Sequence, residues 1–95
     1  MHRYIIERTV PGAGRLDSTG LAALSEASNA VLRQQGPEIQ WVHSYVSDDK
    51  LTCVYLAENE ELIREHARCG GFPLDTVAIV HEIIDPTTAE VVVAR

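Results

Sequence analysis

Two neighbouring runs in the middle of the chain constrain its fold more than any other feature: Ile39-Gln40-Trp41-Val42-His43-Ser44-Tyr45-Val46-Ser47 and Lys50-Leu51-Thr52-Cys53-Val54-Tyr55-Leu56-Ala57. Both are rich in β-branched and aromatic residues, and only Asp48-Asp49 separates them, so they read as a tight antiparallel hairpin. In the second run Leu51, Cys53 and Tyr55 share one face while Val54 and Leu56 share the other, and neither face looks solvated. A sheet that is apolar on both sides has to be covered on both sides. With 95 residues, helices are available for one side only. The other side is therefore expected to pack against a second subunit, giving a homodimer.

The flanking segments complete the pattern. His2 to Val10 is strand-like and is stopped by Pro11-Gly12-Ala13-Gly14. Its alternation puts Tyr4, Ile6, Arg8 and Val10 on one face and Ile5 and Glu7 on the other. Asp17-Ser18-Thr19 then offers capping oxygens to a helix in which Leu21, Leu24, Ala27 or Ser28, and Val31 recur at helical spacing until Gly36-Pro37. This helix, rich in alanine, reads as a plain cover for the core. Glu58-Asn59-Glu60-Glu61 opens a second helix, with acidic groups over its positive end. Ile63, His66, Ala67 and Gly70 mark its inward stripe, and Gly70-Gly71-Phe72-Pro73 ends it. Thr76 to Ile84 makes a fourth strand, closed by Asp85-Pro86.

The order strand, helix, strand, strand, helix, strand, with right-handed crossovers, predicts an α+β ferredoxin-like βαββαβ domain. Four antiparallel strands carry both helices on one face, over residues 1–86. Residues 87–95 are expected to be a tail or a short strand added to a neighbour's edge. This fold hosts many unrelated functions, so chemistry has to be argued from the side chains.

Fourteen acidic against eight basic residues give a formal charge of −6. That balance repels phosphate backbones and argues against nucleic acid as a partner, while leaving a divalent metal ion easy to accommodate. The longest apolar run, Val91 to Ala94, is far too short to span a membrane. Cys53 and Cys69 lack the spacing of a redox or zinc motif, which points to free thiols and a cytoplasmic location.

Within the second helix, His66 is aimed at the interior, with Leu62 and Cys69 beside it on the helix surface. A buried imidazole needs partners for both ring nitrogens. The commoner solution is an ordinary core histidine bonded to a backbone carbonyl, and the chemical one is a metal. No local metal motif occurs, so a site has to be assembled from separate elements. Glu7, Cys53 and His66 are the candidate ligands, provided that Glu7 and Cys53 both face the helices. The plainer readings are an ion-paired strand carboxylate for Glu7 and a small hydrophobe for Cys53. Tyr4, Trp41, Tyr45 and Tyr55 fit equally a ligand cavity, the core or a dimer interface. No serine elbow and no phosphate-binding glycine loop is present.

Tyr4-Ile5-Ile6-Glu7-Arg8-Thr9-Val10-Pro11-Gly12, Trp41-Val42-His43-Ser44-Tyr45-Val46 with Cys53-Val54-Tyr55, and Glu65-His66-Ala67-Arg68 with Gly70-Gly71-Phe72-Pro73 together resemble a small bacterial family of nickel-responsive, nickel-binding proteins. The resemblance runs from His2 to about Glu90. It implies a ferredoxin-like homodimer that binds nickel without catalysis. His43 departs from the family pattern, in which a glutamate is usual. Nitrogen, oxygen and thiolate donors would hold zinc or copper as well as nickel. The alternative is a small-molecule enzyme of the dimeric α/β-barrel type, a cofactor-free oxygenase or isomerase with His66 as a general base.

Overall fold

The structure, a computed structural model, describes residues 1–90. Its elements are β1 (His2–Thr9), α1 (Ser18–Gln35), β2 (Ile39–Val46), β3 (Lys50–Ala57), α2 (Glu60–Gly70) and β4 (Thr76–Val80), with single 3-10 turns at Ala13–Arg15 and Pro86–Thr88. The four strands form one antiparallel sheet in the order β2-β3-β1-β4, and the architecture is α+β, ferredoxin-like.

Alternation along β1 decides which side chains meet the helices. Tyr4, Ile6 and Arg8 are buried, while Ile5 and Glu7 lie on the opposite face, which no helix of the described residues covers. In register with them, Leu51, Cys53, Tyr55 and Ala57 of β3 face the helices, and Thr52, Val54 and Leu56 face away. Ile63 of α2 and Ile39 of β2 complete the core, with Leu24 and Leu32 of α1 packed against it.

Two termini of the helices follow from local chemistry. Asp17 caps α1 by accepting a hydrogen bond from the Gly20 amide, and Asn59 caps α2 by accepting from that of Leu62. The chain leaves α2 through Gly71 at φ 67°, a left-handed conformation that costs L residues about 1–2 kcal/mol.

Three features differ from the sequence reading. The fourth strand stops at Val80, not Ile84, because Val80 already pairs with Arg3 and β1 begins only one residue earlier. Beyond it the described residues find no further ladder, and Ile83 and Ile84 stand exposed. An irregularity between Trp41 and His43 changes the phase of β2. Trp41 opposite Tyr55 and Ser44 opposite Cys53 thus share the helix face, and His43 and Tyr45 share the open one. Finally, α1 is less bland than its composition: its single buried residue is the polar Ser28. Of the expected tail, residues 91–95 lie outside the described residues.

Candidate functional site

A cavity of about 260 Å³ opens between α1 and the helix face of the sheet. Leu21, Leu24 and Ser25 of α1 roof it, Leu51 and Cys53 of β3 floor it, and Trp41, Ser44, Phe72 and Pro73 close its sides. The Trp41 indole nitrogen is already used, donating to the Ser44 hydroxyl at 2.9 Å. The polar end is made by Arg8, Ser28 and Tyr55.

Arg8 is 4% exposed. Its Nη1 donates to the Pro73 carbonyl at 2.6 Å, and its guanidinium lies over the Phe72 ring, 5.6 Å from the centroid. Its Nη2 is buried without a hydrogen-bond partner among the described residues. An arginine carries five N–H donors in a rigid fork, and burying one side of that fork unpaired is expensive.

Behind Ser28 and Tyr55 lies His66, 1% exposed. Its Nδ1 is 2.8 Å from Oε1 of Gln35, whose amide nitrogen donates to the Leu62 carbonyl at 3.1 Å. The amide oxygen can only accept, so Nδ1 carries the proton and Nε2 presents its lone pair. That lone pair faces the Ser28 hydroxyl at 3.1 Å and the Tyr55 hydroxyl at 3.3 Å. Desolvation, aided by the positive charge of Arg8, pushes the His66 pKa down to about 4. Burial also raises the Tyr55 phenol above its usual range. At neutral pH the network is therefore uncharged apart from Arg8.

The three candidate ligands are not brought together. Cys53 and His66 lie on the helix side of the sheet, but Glu7 projects from the opposite face, where its carboxylate is 3.4 Å from the Lys50 ammonium. Strand alternation is the reason, since Glu7 pairs with Thr52 while Cys53 pairs with Ile6. Among the described residues no three His, Cys, Asp or Glu side chains gather as a metal-binding group. The field of Arg8 adds a second obstacle, because what disfavours an imidazolium at His66 disfavours a dication there too. Among the described residues, the helix side of a single chain brings Cys53 and His66 to one face without a third donor of this kind gathered beside them.

Other candidates divide between the two faces. Trp41 and Tyr55 line the cavity, Tyr4 is in the core, and Tyr45 stands 62% exposed on the open face. His66 does not line the cavity itself and reaches it only through the two hydroxyls. Sequence reasoning assigned Arg8 to the same face as Tyr4 and Ile6 but drew no consequence from a buried cation. Ser28 carried a signal in its helical phase. Gln35, at the last turn of α1, carried none.

The family model described as "Nickel responsive protein SCO4226-like" matches residues 4–91. The chain belongs to the SCO4226-like family of nickel-responsive proteins. No curated protein matches it. Among solved structures it is similar to SCO4226 from Streptomyces coelicolor A3(2), with a TM-score of 0.72 at 13% identity, over 86% of this chain and 99% of that one. At that identity the likeness speaks for the fold, and it agrees with the ferredoxin-like order of elements described above. No described helix of this SCO4226-like chain is long and apolar enough to cross a membrane.

Proposed function

We propose that the chain is a nickel-binding protein of the SCO4226-like family, a homodimer joined through the open face of the sheet and acting without turnover. The observation that carries the nickel reading is the family match over nearly the whole chain. The dimer is supported by the open face itself. Ile5, Val54, Leu56, Ala78 and Val80 form its centre in paired register, with no helix of the described residues over them; Val54 is itself buried among these neighbours, while Tyr45 and Val42 are exposed beside them. An apolar sheet face of this kind is a recognised signature of an interface.

Since the described residues of one chain offer no complete donor set on the helix side, the nickel donors of this reading come from two copies. Glu7 and His43 both belong to the open face, on β1 and β2, and are half-exposed or exposed. Carboxylate and imidazole are suitable donors for divalent nickel. A binding role is favoured over catalysis because His66, neutral and set behind Ser28 and Tyr55, is a poor general base near pH 7.

The test is calorimetric titration of nickel into untagged, metal-stripped protein, combined with sedimentation. Dimerisation is expected, with nickel binding weakened in Glu7→Gln and His43→Ala and retained in His66→Ala and Cys53→Ser. Loss of binding in the last two variants alone would return the site to the helix side. No heat with wild-type protein would refute nickel binding by this chain.

A further inference from the structure

The cavity beneath α1 is not used by the nickel reading, and its chemistry is of a different kind. Among the described residues Arg8 is the only charged one in its wall, and no carboxylate lines it. That arginine is more than nine-tenths buried, held in place by the Pro73 carbonyl and the Phe72 ring, and still has Nη2 without a partner. Arg8 lines the cavity with Nη2 closed over and unpaired, so a small turn of the guanidinium would let an entering anion take a charge-assisted hydrogen bond from it. Ser28 and Tyr55 add hydroxyls at the same end, and the remainder of the wall is largely apolar.

We infer that this cavity binds a small organic carboxylate with an apolar body. The carboxylate pairs with Arg8 beside the Ser28 and Tyr55 hydroxyls, and the body lies between Leu21 and Leu24 above and Leu51 below. The volume of about 260 Å³ falls just under the usual range for ligand pockets, which suits a short alkyl chain or a single ring. A bare inorganic anion would leave the apolar wall unused, and a neutral hydrocarbon would leave Nη2 unpaired. A metal ion is repelled by Arg8. The proposal is independent of nickel and of the open face.

Trp41, the single tryptophan, stands in the cavity wall and reports its occupation by fluorescence. Octanoate titrated into the intact protein is expected to give a saturable change, with octanol of equal body binding at least roughly tenfold more weakly because it lacks the charge. Inorganic phosphate is expected to leave the emission unchanged. Arg8→Met should abolish the preference for octanoate over octanol, and Ser25→Phe, which fills the cavity from α1, should abolish binding. Should Arg8→Met fail to fold by circular dichroism, the octanoate–octanol pair and Ser25→Phe still decide the matter. Equal binding of octanoate and octanol, a phosphate response matching that of octanoate, binding that survives Ser25→Phe, or no saturation up to about 5 mM octanoate would each overturn the proposal.

Discussion

Acidification offers a direct test of the His66 network. The imidazole titrates near 6.5 when the chain is unfolded and near 4 in the folded protein, so the unfolded state binds the proton first. The sign follows from that order: the contribution of His66 to stability is complete above pH 6.5, falls as the pH drops through the interval from about 6.5 to about 4, and changes no further below it. Integrating the two titration curves gives a loss of about 2 kcal/mol between pH 7 and pH 5. Other groups titrate in acid as well, Asp85 among them, since its carboxyl is held low by hydrogen bonds from Thr87. The comparison is therefore made against His66→Gln, which keeps a polar side chain but removes the titration. Urea unfolding of both proteins at pH 7 and pH 5 supplies the four free energies. The wild type is expected to lose about 2 kcal/mol more than the variant over that interval. Equal losses in the two proteins would refute the reasoning, and so would an imidazole titration near 6.5 in the folded wild type by NMR.

Three further outcomes follow from the same geometry. Gln35→Leu removes the acceptor for His66 Nδ1 and the donor to the Leu62 carbonyl; leaving buried groups unpaired should cost about 1–3 kcal/mol in urea unfolding, and the His66 ring nitrogens should show a mixed tautomer by NMR. Gly70→Ala drives a methyl into the Phe72 ring, which has to move and carry its contacts with Arg8 and His66 along with it; a loss of about 1–3 kcal/mol is expected, with altered emission from Trp41. Lys50→Ala removes only an exposed pair with Glu7 at 3.4 Å and should change thermal stability by no more than about 0.5 kcal/mol, whereas a large loss would mean that Glu7 is held for some other purpose.

The order of elements, the capping of α1 and the inward aim of His66 are local properties, carried by periodicity within stretches of about ten residues, and they were legible in the chain alone. So was the parity that sets Arg8 beside Tyr4 and Ile6, and Glu7 away from them. The convergence of Glu7, Cys53 and His66 depends on which face each presents, and strand alternation relates neighbours in one strand without saying which face of another strand it matches until the register is known. The irregularity in β2 shows the same limit, since one shift of phase took Tyr45 to the open face and brought Ser44 to the cavity. Tertiary packing alone decided the partners of the buried polar groups. Gln35 meets His66 because the end of α1 passes over α2, and Arg8 meets Pro73 because the loop after α2 folds back across β1. Contacts between residues 31 and 65 positions apart leave no periodic trace in a sequence, and it is such contacts that leave Arg8 Nη2 buried at the wall of an apolar cavity.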